Sequence, residues 1–526
     1  MLGKGRKKIY TDVPEITESN VIQVLRETIT AHTEIASDCE ALINFVSGIQ
    51  PLQREKTYRA DIDIQDIDNV ADEITNFKTS FNWGNPITLV QHGENDGGSV
   101  QESKAIAEFN ACFDAEKIRQ KTQELASFVE KCGIGYTYID VNTDYEDGDS
   151  YFKYMVLDPR NAFVVRSSYY PDQRIIMNVT FRVDSAGNRY YTVFTKDRRY
   201  EVKNGYAPKR NDGTWDFGMG NNEKNPLGRL PFTEWIRCVD RTGCFERQID
   251  ELNALNILAS DFANDVDQNT QCIWHANDIE FPTETYEDEN GEEKTRVVHP
   301  SSNDWVETST TPDGKTPFVN PLHVAYDYAG MLNNYITKRA LILQKCNVPS
   351  RNDNSGGSTG IAMSDATGWT QAEVEATQQD QLKNDSKLDE VKIALVAMKL
   401  CSGFKGGPLA KLKYSDVKPN IKRQKTYEMT TKINAFATGV SHGLDYKSLL
   451  QTINLFDDPQ QVARDSEDTM KKFIDKTFGA EVEDIEVDKD GERTKTKGID
   501  APVPDRLDQD RSDQIENSPR LDKGRG

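Results

Sequence analysis

Apolar residues recur every three or four positions through Ile22, Val24, Leu25 and Ile29, and again through Ile35, Leu42, Ile43, Phe45 and Val46. This spacing predicts helix within residues 12–50, stopped at Gly48. A second run, Ile67, Val70, Ile74, Phe77 and Phe81, predicts a helix over 66–83 that ends in the breaker Gly84-Asn85-Pro86. Residues 102–131 read as helix again. The period then shortens to two. Tyr136–Val141, Phe152–Leu157, Ile175–Val183, Tyr190–Thr195 and Tyr200–Val202 are short, aromatic and β-branched, with turn clusters such as Ser185-Ala186-Gly187-Asn188 between them. They predict an antiparallel β region of five strands. Asn211–Pro226 reads as a polar loop.

From Phe245 the helical period returns through Ile249, Leu252, Leu255, Leu258, Phe262 and Val266, with no proline between Thr233 and Phe281. A helix over 243–275 would be about 50 Å long at 1.5 Å per residue. Residues 276–321 break the pattern with eleven acidic and three basic residues. Asn320-Pro321 reads as a helix start, an N-cap followed by proline at the first helical position. Val324, Tyr328, Met331, Leu332, Tyr335, Ile336, Leu341 and Leu343 continue that helix to Asn347. Two long helices therefore flank a compact acidic insertion. If its ends lie together, the helices run antiparallel with the insertion at their tip. Residues 350–369 are a polar, glycine-rich loop. Thr370 and Glu373 form a capping-box string before a helix over 371–402, polar in its first half and apolar in its second, as if it left solvent and entered a core. Residues 422–475 read as helical pieces. The tail from Ala480 has no aromatic residue and reads as disordered.

The 526 residues suggest three or four domains of mixed α+β class, mainly α. No run approaches the roughly 18 apolar residues of a membrane helix. The basic N-terminus is not followed by the apolar stretch of a secretory signal. The net charge of −22 argues against tight gripping of duplex DNA by the chain as a whole, so any relation to nucleic acid must be local. The eight cysteines are scattered and none forms Cys-x-x-Cys, a pattern of free thiols in a reducing compartment. No metal-ligand spacing occurs among the six histidines, and no cofactor is expected.

Candidate chemistry is sparse. Gly356-Gly357-Ser358-Thr359-Gly360 matches the G-x-S-x-G string of serine hydrolases, but it follows a helix and a polar loop instead of a strand, and only His442 comes after it. The Asp61, Asp63, Asp66, Asp68 cluster has no glycine at calcium-loop spacing and reads as a solvated turn or strand face. The Asp144, Glu146, Asp147, Asp149 cluster has Gly148 at the wrong offset and reads the same way. There is no P-loop string. Glu280–Glu293 holds seven acids, a solvated face or a negative surface toward DNA or a basic partner. Lys345, Arg351 and the loop beyond them could touch phosphate, or simply link two helices.

Six stretches in a fixed order, between roughly residues 20 and 475, resemble the portal proteins of tailed bacteriophages, especially long-tailed phages of Gram-positive bacteria. They are Gly84-Asn85-Pro86-Ile87; Cys132-Gly133-Ile134-Gly135-Tyr136-Thr137-Tyr138 with Leu157-Asp158-Pro159; Leu230-Pro231-Phe232-Thr233-Glu234-Trp235; Asp261-Phe262-Ala263-Asn264-Asp265; Thr359-Gly360-Ile361-Ala362; and Gly439-Val440-Ser441 with Asp457-Asp458-Pro459. The resemblance implies a portal fold and a structural, non-enzymatic role. An N-terminal arm and mixed α/β wing would occupy 1–242, a two-helix stem 243–275 and 322–349, and a small α/β clip 276–321. A tunnel loop would occupy 350–370, a long wing helix 371–402, a helical crown 403–478 and a disordered acidic tail 479–526. It further implies a homo-oligomeric ring, normally of twelve subunits, at one capsid vertex. The terminase large subunit would package double-stranded DNA through this ring, DNA would later leave through it, and neck or tail adaptors would attach to it. Major capsid and scaffolding proteins are further implied partners. The virion is the implied location, after assembly in the host cytoplasm. Arg351, Asn352, Asn354 and Ser358 would face DNA in the tunnel loop, and Glu287, Asp288, Glu289, Glu292 and Glu293 would form the clip surface. The competing readings are a serine hydrolase built on Ser358 and another ring adaptor of the neck or baseplate.

Overall fold

The computed structural model describes residues 3–52, 54, 61–91, 100–171, 173–211, 215–218, 220–270, 273–277, 283–287, 291–297, 317–322, 327–349, 368–421, 423, 426–453, 456 and 459–478. The chain divides into two units, 1–463 and 464–526. In chain order the first unit opens with β1 (Ile9–Thr11), α1 (Val21–Val46), α2 (Val70–Trp83), β2 (Thr88–Gln91), α3 (Val100–Ala115) and α4 (Ile118–Cys132). Strands β3 (Ile134–Val141), β4 (Phe152–Leu157), β5 (Ala162–Ser167), β6 (Ile175–Val183), β7 (Arg189–Phe194), β8 (Arg198–Lys203), β9 (Asn222–Lys224) and β10 (Phe232–Ile236) follow. Then come α5 (Ile249–Thr270), β11 (Ile273–Asn277), β12 (Thr283–Glu287), β13 (Glu293–Val297), β14 (Phe318–Leu322), α6 (Tyr328–Lys345) and α7 (Trp369–Leu400). Strand β15 (Val417–Asn420), α8 (Thr426–Ser441), α9 (Tyr446–Ile453) and α10 (Pro459–Asp465) complete the series. The second unit contains α11 (Glu467–Phe478).

The largest sheet has six strands in the order β1-β5-β6-β7-β8-β9. Its alternating apolar positions Met177, Val179, Tyr191, Val193, Tyr200 and Val202 form a core with Val21, Ile22, Leu25, Ile35 and Cys39 of α1. That is why α1 needs its apolar stripe and the strands their period of two. A second sheet, β10-β3-β4, is wrapped by α3, α4 and the apolar second half of α7. A third core joins the end of α1 to α2, α5 and α6 through Phe45, Val70, Ile74, Phe245, Leu252, Leu255 and Ile342. Helix outweighs strand, so the class is α+β.

The differences from the sequence reading have local causes. The β region is not purely antiparallel: β1 pairs parallel with β5, at Tyr10↔Arg166. Strands β1, β5 and β10 were not expected: β1 and β10 are short, and β5 is buried on both faces, so its sequence shows no alternation. The helix over 102–131 is two helices, because Lys117 takes a left-handed conformation (φ 57°). Neighbouring Glu116 accepts from Lys121 Nζ and the Tyr154 backbone N–H. The helix placed at 243 begins at Ile249 after a 3-10 turn, since the Glu246 carboxylate is taken by Arg6 and the Gly3 and Gly5 N–H groups. Asn320-Pro321 does not start a helix. Both lie in β14 opposite His275 and Trp274, and α6 starts seven residues later than expected, capped by Asp327, which accepts from the Gly330 N–H at 2.9 Å. The Thr370/Glu373 capping box does not form: α7 starts at Trp369 with Gly368 as N-cap, and Glu373 pairs with Arg423.

Candidate functional site

Helices α5 and α6 form an antiparallel hairpin. At one end Lys345 pairs with Glu251 and the Cys346 thiol donates to Gln248; at the other the rings of Phe262 and Tyr328 lie 6.2 Å apart. Beyond that end β11 and β14 pair from Ile273↔Leu322 to Asn277↔Phe318, so the ends of the acidic insertion do lie together. Within the insertion β12 and β13 pair so that Glu287 faces Glu293, with Glu292 beside them. Like charges opposed across a strand pair destabilise it; on the same hairpin Glu284 is bridged to Arg296, which also stacks on Tyr286. Glu287, Glu292 and Glu293 thus form one acidic end. Asp288, Glu289 and all four loop residues Arg351, Asn352, Asn354 and Ser358 lie outside the described residues.

The hairpin is fastened to the body by a strap that sequence reading missed. Residues 61–69 run antiparallel along α5, and three buried polar side chains at four-residue spacing hold their backbone. Asn264 accepts from the Ile64 N–H (2.9 Å) and donates to its carbonyl (2.8 Å). Ser260 does the same for Asp66 (3.0 and 3.1 Å). Asn256 accepts from the Asp68 N–H at 3.1 Å and donates to Gln50. Four helical residues rise about 6 Å and two extended residues about 6.6 Å, so the two repeats match. The signal was present as Asn-x-x-x-Ser-x-x-x-Asn running beside the apolar stripe of α5. The Asp61–Asp68 cluster is correspondingly only part solvated: the Asp68 carboxylate accepts from the Tyr335 hydroxyl and from Arg339 Nε at 3.0 Å, and Arg339 also pairs with Glu73. The strap therefore ties α5, α6 and α2 together.

A second tie crosses the base of the hairpin. Burial pushes the Glu375 carboxyl up, but Arg237, Lys78 and Asn347 together outweigh it and hold the group below the usual carboxylate range. Lys78 Nζ and Asn347 Nδ2 both donate to it, and Arg237 bridges it to buried Glu130. Asn347 sits just past α6 in a left-handed conformation (φ 52°), and Glu375 lies in the second turn of α7. The flanks of segment 350–367 are thus one hydrogen bond apart. Trp369 packs edge-on against Phe77 and Phe81 of α2 beside this tie. The first half of α7 is accordingly solvent-facing on one side only: Ala372, Ala376, Gln379 and Lys383 are buried, while Gln371, Val374, Thr377, Gln378 and Gln381 are exposed. Desolvation lowers the Lys383 amine to about 8, although Asp380 lies nearby. Lys383 donates to the Asn82 carbonyl and lies 4.2 Å from the centre of the Trp83 ring.

The hairpin also has a bare side. Tyr335, Arg339 and Ile342 of α6 turn inward and Tyr328 meets Phe262, whereas Leu332 and Ile336 on the flank are 49% and 52% exposed. His442 Nδ1 donates to the Thr438 carbonyl at 2.7 Å, and nothing favours its use with Ser358 in a hydrolase. Among the described residues no cluster of His, Cys, Asp or Glu is arranged to hold a metal, and no helix is long and apolar enough to cross a membrane.

The family model described as phage portal protein, SPP1 Gp6-like, matches residues 29–474. The chain belongs to this portal family. It is therefore a phage portal protein by family, a structural component of the virion and not a member of an enzyme family. The match takes in α5, α6, the insertion and α7. One similar solved structure is a chain titled "Neck of empty GTA particle computed with C6 symmetry", at 11% identity and a TM-score of 0.37, covering 74% of this chain and 90% of that one. No curated protein matches. The cysteine-glycine stretch is also explained: Gly133 has φ +78°, and a Cβ there would lie 2.4 Å from the Arg241 carbonyl oxygen.

Proposed function

We propose that this portal subunit closes into a ring of twelve through the α5/α6 hairpins. The ring stands at one capsid vertex and conducts double-stranded DNA inward during packaging and outward at ejection. The observation that carries this reading is the exposed apolar pair Leu332 and Ile336. Exposed apolar side chains of this kind, flanking the face through which the helix is already bonded to the body, need a partner surface. A ring supplies one by docking them on a different face of the next copy, a heterologous contact that closes by rotation.

On this reading 1–242 is arm and wing, 243–275 and 322–349 the stem, 276–321 the clip, 350–370 the tunnel loop, 371–402 the long wing helix and 403–478 the crown. Residues 479–526 form an acidic tail. The clip acids Glu287, Asp288, Glu289, Glu292 and Glu293 meet basic surfaces of the terminase large subunit and later of the neck adaptor. Arg351, Asn352, Asn354 and Ser358 contact passing DNA only briefly. A wall that is negative on average suits conduction, because each added phosphate contact strengthens holding. Assembly takes place in the host cytoplasm with capsid and scaffolding proteins. The test is sedimentation of the full chain beside a Leu332→Asp/Ile336→Asp variant. The wild type should sediment as a ring and the variant as a folded 59.5 kDa monomer. A variant that still forms the ring removes the hairpin from the interface.

A further inference from the structure

The charge of −22 is unevenly spread. Residues 174–210 carry nine Lys or Arg against three Asp or Glu, the reverse of the rest of the chain. These residues make up β6, β7, β8 and their turns. Pairing sets Arg182, Tyr190 and Lys203 side by side across the three strands, then Thr180, Thr192 and Glu201, then Asn178, Phe194 and Arg199. All lie on the side of the sheet away from α1, where Asn178 and Phe194 are buried under Phe232 and Tyr138 and the first two rows, with Arg199, remain uncovered. Arg182 and Lys203 both lean over the Tyr190 ring, at 4.3 and 5.6 Å from its centre, and Arg199 leans over Phe194 at 5.6 Å. Aromatic rings thus hold three cations in place on a sheet surface. Partial compensation comes from Glu201 on Arg182, Glu18 on Arg198 and Asp216 on Arg210. Among the described residues Lys196, Arg199, Lys203 and Lys209 enter no salt bridge.

We propose that this sheet face binds the phosphate backbone of double-stranded DNA without reading sequence, at a surface separate from the tunnel loop. Strands two apart set Arg182 and Lys203 about 10 Å from each other at the backbone, and Arg199 lies four residues, about 13 Å, along β8 from Lys203. Those separations are comparable to the roughly 12 Å major groove that divides the phosphate rows of B-DNA. The hydroxyls of Thr180 and Thr192 lie between the cations as further phosphate donors. A protein partner is disfavoured, because a protein interface wants an apolar, desolvated centre and here the centre is threonine and glutamate. The proposal rests on the portal reading only in that duplex DNA is then at hand. It makes the wing hold what the channel must let pass.

The experiment measures binding of a labelled duplex of about 30 base pairs to the full-length protein by fluorescence anisotropy, between about 50 and 200 mM salt. Each lost contact should flatten the plot of log affinity against log salt by about 0.9. The Arg182→Gln/Arg199→Gln/Lys203→Gln variant should therefore lose about 2.7 of slope and bind at least about tenfold more weakly at the lowest salt. Arg182→Lys/Arg199→Lys/Lys203→Arg should keep the wild-type slope. Lys399→Gln/Lys405→Gln/Lys411→Gln, which removes three exposed charges elsewhere, should keep it too. Equal slopes for the two glutamine variants overturn the proposal, as does a wild type that binds polyglutamate more tightly than DNA. Particle mass is read on the same samples: rings without DNA binding defeat this inference alone, and absence of rings defeats the portal reading instead.

Discussion

Replacing Asn264 with leucine tests whether the strap is held by its ladder or merely lies against it. The side chain is 2% exposed and fastens both backbone groups of Ile64. Leucine of similar volume removes two hydrogen bonds with a net worth of about 1 kcal/mol each. A strap that stayed in place would keep an unpaired N–H and C=O in a part-buried site, at up to about 1–3 kcal/mol apiece. Lifting the strap is the cheaper response, since water then satisfies both groups and the freed backbone regains about 1–2 kcal/mol of entropy per residue. The loss should therefore appear as local opening of 61–69 and not as global unfolding. About 2 kcal/mol corresponds to roughly thirtyfold faster amide exchange. Hydrogen exchange read by mass spectrometry on peptides covering Asp66 and Asp68 should show that acceleration, although neither residue touches Asn264 in the ladder. The thermal midpoint should fall by less than about 4 °C. Unchanged protection at Asp66 and Asp68, or acceleration confined to Ile64, refutes a cooperative ladder.

Three further outcomes follow from the same geometry. Glu375→Gln leaves Lys78 and Arg237 short of a counter-charge in a largely dry site and should lower stability by about 3 kcal/mol, or roughly 3 °C in Tm for a unit of this size; a change under about 1 °C contradicts the tie. Lys383 titrates near 8 in the fold against about 10.5 unfolded, so the unfolded chain holds more protons between those values and stability should rise with pH across that window. Lys383→Met should abolish that rise, an effect of about 2 kcal/mol, when unfolding free energies from urea titrations are compared at pH 7.5 and 9.5; parallel changes in both proteins refute the assignment. His32, whose burial lowers its imidazole below 6.5, should cost stability as pH falls below 6.5, and His32→Gln should remove that acid-side loss in thermal melts.

Much of this was legible because helix and strand periods are local. Phe245 to Val266 and Tyr328 to Leu343 announced the hairpin, and Ile175–Val183 spans the strand predicted for it. Asp61–Asp68 looked like a solvated acidic run because what orders it is backbone, held by a helix some 200 residues away. The early part of α7 looked solvent-facing because its polar letters do not reveal their partners. Lys383 meets the Asn82 carbonyl and Glu375 meets Lys78, each about 300 residues distant. Asn320-Pro321 carried a sound helix-start signal, yet pairing with Trp274 and His275 overrode it. The basic face was hidden by averaging over an acidic chain.

The central claim is that the outward side of α6 is a subunit contact in a closed ring. Cryo-electron microscopy of the purified full-length chain tests it most directly. The account predicts rotationally symmetric particles, twelve copies of 59.5 kDa or about 714 kDa, with Leu332 and Ile336 covered by the neighbouring hairpin. Single chains at micromolar concentration, or two-fold dimers that bury this pair against itself, would contradict it.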